Sequence, residues 1–205
     1  AADETTPVDH LGGQVPCSYV VSKRSGLEVV RAEVEKGLRA SIVHPGFMLG
    51  PWDWKPSSGR MILEVGRGYK PIAPSGGCSV CDSRDVAAAT IAAIGRGRDD
   101  GREYILAGEN WTYKKLWDEI AARTNKPKPI MPAGPAQRWI AAGAGDLWTR
   151  LSGREGDINS AAVAMSSMFH FYDSSRAEEE LGYERRPVKQ TLDEATRWLV
   201  QQHLE

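Results

Sequence analysis

The chain has 205 residues, of which 41% are hydrophobic and 26% charged, and its 26 basic residues nearly cancel its 27 acidic ones. This composition is ordinary for a globular protein and excludes a largely disordered or fibrous chain. A near-zero net charge argues against nucleic acid as a partner, and no apolar run reaches the roughly 18 residues that a membrane span needs. We therefore expect a soluble, cytoplasmic protein.

The first part of the chain predicts one helix followed by one strand. Residues 1–14 are polar and include no initiator Met, as if a longer protein were entered midway, so we expect an internal boundary here. Over residues 18–38, apolar side chains recur at steps of three and four, which predicts an amphipathic helix ended by Gly37. The β-branched run at 40–44 predicts a short strand, and the Pro-Gly step at 45–46 is expected to stop it.

The middle of the chain predicts further α/β units. After a loop rich in Trp, Pro and Ser, residues 61–65 predict a short helix. Residues 82–85 offer N-cap side chains to an Ala-rich helix that runs through Ile94, with Gly95 placed for a left-handed cap. Because this helix is nearly all apolar, we expect it to be buried. Residues 104–107 predict a third strand.

The C-terminal part of the chain is predicted to be mostly helical. Four prolines between residues 127 and 135 predict a non-helical segment within it. The expected elements are a helix capped by Thr112, a helical segment over 137–151, a short helix from a Ser175–Glu178 capping box to Gly182, and a last helix through Leu192.

The three cysteines are too few for a disulfide framework. Cys78 and Cys81 also lack the second ligand pair that a structural zinc site needs. Both lie in the run 76–81, which predicts a short buried strand. We interpret them as reduced thiols that pack in the core.

Tyr19 and Lys23 are the strongest catalytic candidates. Residues four apart on a helix lie on the same face, so the ammonium can sit beside the phenol. A phenol carries protons poorly at neutral pH, and hydride chemistry at an alcohol carbon requires a proton carrier. A positive charge roughly 4 Å away at an effective dielectric near 20 stabilises a phenolate by at most about 4 kcal/mol. Tyr-x-x-x-Lys alone is a weak pattern, and an exposed tyrosine beside a solvated lysine is the simpler interpretation of it.

The sequence segments that follow Tyr19 and Lys23, and their order, make this motif more specific. It is followed by a strand, by Pro45-Gly46 and by Gly50-Pro51, and then by the blocks 80–87, 104–112 and 171–183. This order resembles the extended short-chain dehydrogenase/reductase family over nearly the whole chain. Within the family, the blocks are most similar to dihydroflavonol-reductase-like and sugar-epimerase-like members.

The resemblance implies NAD or NADP as cofactor and a role for each matching residue. Tyr19 is expected to donate or accept the proton, and Lys23 to stabilise its phenolate and to hold the nicotinamide ribose. The remaining expected contacts are the backbone of a loop at Pro45, Gly46, Phe47 and Met48 against the nicotinamide carboxamide, and Ser57 or Ser58, of which Ser58 is the candidate, against cofactor or substrate. Asp85 is interpreted as a helix cap and not as a catalytic acid.

The sequence also departs from the family. It contains no glycine-rich turn after a strand to hold a pyrophosphate, since Gly95-Arg96-Gly97 and Gly143-Ala144-Gly145 follow helical segments. The family's catalytic Ser or Thr before the tyrosine is absent as well. Either the residues are part of a longer protein, or the chain is a truncation that cannot bind dinucleotide alone. We favour the first interpretation, because a parallel sheet without its first strands exposes open edges.

The expected fold is α/β: the rear part of a Rossmann-type parallel sheet with a smaller, mostly helical C-terminal substrate domain. The predicted divisions are 1–56 for the rear of the dinucleotide-binding domain, 57–75 for a substrate-domain excursion, 76–110 for the return to the Rossmann sheet, and 111–205 for the C-terminal substrate-binding domain. The expected partners are a small-molecule substrate, a second copy in a homodimer through the Tyr19 helix, and a missing N-terminal half, with no nucleic acid and no membrane.

Three functions are compatible with these features. The first is an oxidoreductase that interconverts a ketone and a secondary alcohol on a bulky substrate. The second is a nucleotide-sugar epimerase or dehydratase of the same family, and the third a non-catalytic scaffold. Basic groups for a diphosphate would favour an epimerase and aromatic walls a reductase. The tryptophans that favour the reductase are Trp52, Trp54, Trp139 and Trp148, although all four could equally be core residues.

Overall fold

A computed structural model describes residues 1–6, 18–152 and 160–204. The helices in these ranges are α1 (Ser18–Glu35), α2 (Arg60–Arg67), α3 (Ser83–Arg96), α4 (Tyr113–Arg123), α5 (Pro135–Ser152), α6 (Ser160–Ser166), α7 (Ser175–Leu181) and α8 (Val188–His203). The strands are β1 (Ala40–Pro45), β2 (Phe47–Leu49), β3 (Ile72–Ala73), β4 (Gly77–Asp82), β5 (Asp100–Leu106), β6 (Glu109–Thr112), β7 (Met131–Pro132) and β8 (Phe169–His170). The predicted α/β class is confirmed.

Strands β1 and β5 form a parallel pair covered by helices on both faces. Because side chains alternate along a strand, Tyr104 and Leu106 point to one face of β5, where they are fully buried against α3 and α7. Glu103 points to the opposite face and binds Arg31 of α1 at 2.5 Å. The result is a three-layer α/β/α arrangement, in which β1 has β5 as its neighbour among the described strands.

The second sheet is mixed and has its own hydrophobic core. Strand β4 lies between β2, to which it is parallel, and β6, to which it is antiparallel, and it also pairs with β8. Helices α2, α4 and α8 pack on this sheet through fully buried side chains, which include Ile62, Leu116 and Leu199.

Gly46 is the point at which the chain passes from the first sheet to the second. Its N–H donates to the carbonyl of Leu106 at 3.0 Å, and a Cβ at this position would lie 2.7 Å from the carbonyl oxygen of Ser79. The expectation that Pro45-Gly46 opens a loop through Met48 is wrong. Strand β2 begins directly at Phe47, because Gly46 lets three backbones approach one another closely.

Several predicted helix ends are confirmed. Gly37, with φ of 104°, follows α1, and Gly182, with φ of 71°, follows α7. The hydroxyl of Thr112 accepts from the N–H of Lys115 and caps α4.

Other predicted ends are wrong. Gly95 lies inside α3, which ends at Arg96 and is followed by Gly97 as a C-cap without a left-handed backbone. The predicted N-cap from residues 82–85 is confirmed at Asp82, but Asp85, interpreted as a cap, lies in the first turn of α3 and accepts from the N–H of Arg186. The Ser175–Glu178 box does not form, because the helix cap is Ser174.

Helix α3 is not buried on all sides as expected. Val86, Ala89 and Ala93 face the sheet and are buried, but Ile91 and Ile94 on the other side are 70% and 86% exposed. The helix therefore packs with one face in the described part of the chain. None of the helices in the described ranges is both long and apolar enough to cross a bilayer. The division into domains and the cytoplasmic location stay predictions.

Candidate active site

The direction of α1 places Tyr19 beyond the carboxyl ends of β1 and β5. Val34 lies against Gly101 at the start of β5, and Leu27 lines a cleft with Ile105 near its end. The helix therefore runs antiparallel to the strand. Tyr19 lies eight residues before Leu27, which is about 12 Å further along the helix axis. This is the edge of an open α/β sheet at which ligands bind.

Tyr19 and Lys23 are close together, as their spacing predicts. The Lys23 ammonium lies 5.8 Å from the centroid of the Tyr19 ring, within the range of a cation–π contact. The Tyr19 side chain is 66% exposed, and Lys23 is also exposed. The pair is therefore accessible to a ligand from solvent.

The four residues whose backbone was expected to contact the cofactor, 45–48, lie where the chain passes from the first sheet to the second. Pro45 is the last residue of β1 and pairs with Leu106. Phe47 and Met48 pair with Val80 and Cys81 in the second sheet, and Phe47 packs on its core. Their backbones take part in a strand ladder, so a free loop at these residues is not available to a ligand.

Ser58 lies in a separate loop between β2 and α2. Its carbonyl accepts from the N–H of Met61, and the preceding loop is held by Asp53, whose carboxylate accepts from the N–H groups of Ser57 and Gly59. Within the described ranges no hydrogen bond, ion pair or ring contact joins Ser58 to Tyr19 or Lys23. The structure therefore brings the two candidate catalytic residues together and, within the described ranges, shows no contact between them and Ser58.

A cleft of about 270 Å³ lies between α1 and the carboxyl ends of β1 and β5. Its polar wall is a cluster that the sequence analysis missed: Glu103 accepts from His44 at 2.9 Å and from Arg31 at 2.5 Å. Tyr19 and Lys23 do not line this cleft. The residue that could have indicated this cluster in the sequence is His44, which directly precedes Pro45 and lies on the side of β1 that faces α1.

The tryptophans proposed as aromatic walls differ in their surroundings. Trp52, Trp54 and Trp139 are all exposed, and Trp54 also makes an edge contact with Trp198 at 4.9 Å. The side chain of Trp148 lies outside the described residues.

The thiols of Cys78 and Cys81 are buried, and burial raises the pKa of each to about 12. They are protonated at neutral pH and are not nucleophiles. The prediction of reduced, packed thiols is confirmed for these two, and Cys17 lies outside the described residues.

Comparison with known proteins identifies the family. No family model matches the chain. It is 31% identical to the "Putative dihydroflavonol 4-reductase" of Synechocystis sp. over 206 residues, which is 96% of this chain and 58% of that protein. The solved structure of gox2253 is 33% identical with a TM-score of 0.78, over 98% of this chain and 61% of that one. The chain belongs to the extended short-chain dehydrogenase/reductase family.

Further likenesses within this short-chain dehydrogenase/reductase family support the same fold. A nucleoside-diphosphate-sugar epimerase from Pseudomonas aeruginosa is 28% identical with a TM-score of 0.76, over 92% of this chain and 58% of that one. More distant structures, at 13% and 16% identity, share the fold and hold NADPH or NAD. The chain spans less than two-thirds of the length of these relatives, consistent with their C-terminal part.

Proposed function

We propose that this chain carries the proton-transfer residues of an NAD(P)-dependent oxidoreductase that interconverts a ketone and a secondary alcohol on a bulky small molecule. The observation that carries the proposal is the exposed Tyr19–Lys23 pair, with 5.8 Å between ammonium and ring, on a helix that extends past the ends of two parallel strands. The similarity to a protein named as a dihydroflavonol reductase favours a ketone of this kind.

The pair can move a proton at one defined atom. In ketone reduction the Tyr19 hydroxyl donates its proton to the carbonyl oxygen, and in alcohol oxidation the phenolate takes the proton back. The Lys23 ammonium lies one helical turn away from the phenol, 5.8 Å from the centroid of its ring. It is also a donor for hydroxyl groups of a ligand bound at this edge.

The residues present fit the nicotinamide end of NAD or NADP. When bound, the cofactor would supply or accept the hydride. Lys23 is the proposed donor to its ribose, and the backbone at Pro45 and Gly46 is the proposed partner of its carboxamide. Because Phe47 and Met48 pair with β4, their proposed contacts are made through side-chain atoms or through backbone atoms on the side away from β4. Ser58 is proposed to act from the loop before α2.

We further infer that the part of the protein that binds the cofactor pyrophosphate contributes a strand that pairs with β1 on the side opposite β5, the free side of β1. No glycine-rich turn for a pyrophosphate lies in the given sequence, and the relatives are longer than this chain. A parallel strand beside β1 would extend the β1–β5 pair into a larger sheet. A homodimer through the exposed face of α1 is proposed on the family resemblance.

The test is turnover by the intact protein, expressed from its complete reading frame. Oxidation of NADPH and NADH is followed with a panel of ketones for the wild type, Tyr19→Phe and Lys23→Met. We expect Tyr19→Phe to lower kcat by about 10² or more, because its ring keeps its shape and loses only the hydroxyl. Lys36→Met is the matched control, since Lys36 lies at the far end of α1 and pairs with Glu33. Unchanged turnover in a folded Tyr19→Phe protein would contradict the assignment.

An epimerase or dehydratase is the second candidate, favoured by the likeness to a nucleoside-diphosphate-sugar epimerase at 28% identity. In that chemistry the hydride returns to the substrate, so nucleotide sugars would be converted without net oxidation of reduced cofactor. If the intact protein binds nicotinamide cofactor and converts neither class, the scaffold function is favoured.

A further inference from the structure

The first half of α5 turns an apolar face to solvent. The exposed residues between positions 135 and 144 recur at helical spacing and none of them is charged: Pro135, Ala136, Trp139, Ile140, Gly143 and Ala144. The side chains of Trp139 and Ile140 are 80% and 62% exposed. A helix on the surface of a globular protein normally exposes its polar face, and contiguous exposed apolar residues mark a contact with another molecule. This face of α5 is therefore a candidate contact surface.

The strand pair β3–β7 lies next to this face and carries further exposed apolar side chains. Ile72 of β3 pairs with Met131 of β7. Their side chains are 39% and 47% exposed, and that of Ile130 is 68% exposed. The N–H of Ala133 donates to a carbonyl of β3 at 2.8 Å, and α5 begins two residues later. The Cα atom of Trp139 therefore lies no more than about 14 Å from that of Ala133. We call the strand pair and the exposed face of α5 together the apolar surface.

Basic residues without acidic partners accompany the apolar surface. No Asp or Glu occurs between Glu119 and Asp146. Lys128 and Lys126 lie three and five residues before β7, and Arg138 lies near the start of α5. In the part of the chain that the structure describes, none of these three side chains forms an ion pair. The net charge of the whole chain is -1, but this stretch is locally cationic.

The flank of the apolar surface that precedes β3 is also basic. Arg67 and Lys70 share the carboxylate of Glu64, at 3.0 Å and 3.3 Å, so two positive charges face one negative charge. The side chain of Tyr69, next to Lys70, is 48% exposed. Exposed Tyr and Trp beside basic side chains suit a membrane–water interface, where aromatic rings lie at the headgroup level and cations are attracted to anionic lipids.

Two other occupants of the apolar surface fit less well. In a two-fold dimer the same patch meets its own copy. That contact would bring Lys126, Lys128 and Arg138 close to their own equivalents, and like charges that meet across an interface oppose association. The part of the protein that binds the pyrophosphate is proposed to pair with β1 in the first sheet. Strands β3 and β7, by contrast, pack on α4, which belongs to the core of the second sheet.

We propose that the apolar surface binds peripherally to an anionic phospholipid membrane. Its apolar side chains enter the boundary between headgroups and acyl chains, and the basic residues around them contact the lipid phosphates. The expectation of no membrane partner rested on the charge of the whole chain and on the length of its apolar runs, and neither property describes a local surface. Membrane binding of this kind requires no turnover, so the proposal is independent of the oxidoreductase function.

The test is co-sedimentation of the intact protein, expressed from its complete reading frame, with lipid vesicles. Vesicles of phosphatidylcholine alone are compared with vesicles of phosphatidylcholine and phosphatidylglycerol in equal parts. We expect binding to the mixed vesicles, at least about tenfold weaker binding to phosphatidylcholine alone, and a smaller difference between the two as salt is added. The double variant Lys126→Ala, Lys128→Ala should bind the mixed vesicles about tenfold more weakly and phosphatidylcholine as the wild type does.

A second double variant, Trp139→Ser with Ile140→Ser, should bind both kinds of vesicle about tenfold more weakly or worse, because less apolar area is buried in lipid. The matched control is Ile91→Ser with Ile94→Ser, since these two exposed residues lie on α3, which packs on the core of the first sheet. Circular dichroism checks that each variant is folded. If the Trp139 variant does not fold, the lysine variant alone decides.

Four results would each overturn the proposal: no sedimentation of the wild type with mixed vesicles, equal binding to both kinds of vesicle, unchanged binding in either double variant of the apolar surface, or an equal loss in the α3 control. Light scattering of the wild type and of the Trp139→Ser, Ile140→Ser variant tests the second copy as occupant. A dimer that dissociates in this variant would show that a second copy covers the apolar surface, and the lipid proposal would then be wrong.

Discussion

At the scale of single residues, two glycines of this chain have opposite structural roles. Gly46 sits where β1, β4 and β5 meet, with the Ser79 carbonyl and the Ala107 backbone beside it. Gly26 lies within α1, and an added Cβ there would meet no atom within 4 Å. Since helix interiors favour alanine over glycine, the two positions should respond differently to the same substitution.

We therefore predict that Gly46→Ala lowers the free energy of unfolding by about 2 kcal/mol, because its methyl group would press on backbone that cannot swing aside. Gly26→Ala, the matched control, should raise it by roughly 0.5–1 kcal/mol. Urea unfolding of both variants of the intact protein gives the two values. A Gly46→Ala protein as stable as the wild type would show that the two sheets can separate at this crossing without cost.

The residue scale also shows what the sequence could predict about the site. The four-residue spacing of Tyr19 and Lys23 is a local property of a helix, and the structure has the two side chains together. The left-handed backbone of Trp52 and the tight crossing at Gly46 depend on contacts distant in sequence. No local sequence pattern predicts either feature, because Trp disfavours such a φ and Pro-Gly usually begins a loop.

At the scale of elements, Asp82 connects the start of α3 to α8. Its side chain is fully buried and binds the guanidinium of Arg84 at 2.7 Å, that of Arg186 at 3.3 Å, and the hydroxyl of Thr191 at 2.8 Å. The sequence predicted capping from residues 82–85 but not these long-range partners. Arg186 and Thr191 follow more than 100 residues later.

This carboxylate makes stability depend on pH on the acid side. Burial opposes ionisation of Asp82, but hydrogen bonds from Arg84 and Thr191 outweigh it and lower the pKa below the usual value. A depressed pKa in the folded state contributes stability that is complete above the unfolded pKa of about 3.9 and is lost as pH falls through the folded value.

Asp82→Asn should accordingly lower the free energy of unfolding by about 2 kcal/mol at pH 7. The difference from the wild type should shrink as pH falls below about 4, where the carboxyl of the unfolded chain takes up a proton before the folded one does, and should level off below the folded pKa. Urea titrations of the intact protein from pH 7 to pH 2 measure it. Asp193→Asn serves as control, because Asp193 is an exposed residue of α8 whose carboxylate pairs with Arg123 of α4, and ion pairs of exposed carboxylates contribute little. A difference independent of pH would rule out the carboxylate as its source.

At the scale of the whole molecule, the fold class could be predicted from alternating helix and strand patterns, whereas the packing of each helix could not. Helix α3 is apolar all round in sequence, yet one side of it, at Ile91 and Ile94, is exposed. Periodicity reports which side chains are apolar but not which neighbours cover them.

The last prediction concerns the free side of β1. The Gly46 N–H bonds to the Leu106 carbonyl of β5, so by alternation along the strand the His44 N–H points to β5 and the Val43 N–H points away from it. If a further strand pairs with β1, the Val43 amide of the intact protein should exchange hydrogen at least about 100-fold more slowly than an unstructured amide, and the His44 amide should do so in either case. Residue-resolved hydrogen–deuterium exchange reads both amides in one sample. Protection of His44 without protection of Val43 would mean that β1 is an edge strand in the intact protein. The segment that binds the pyrophosphate would then have to pack against another part of this chain.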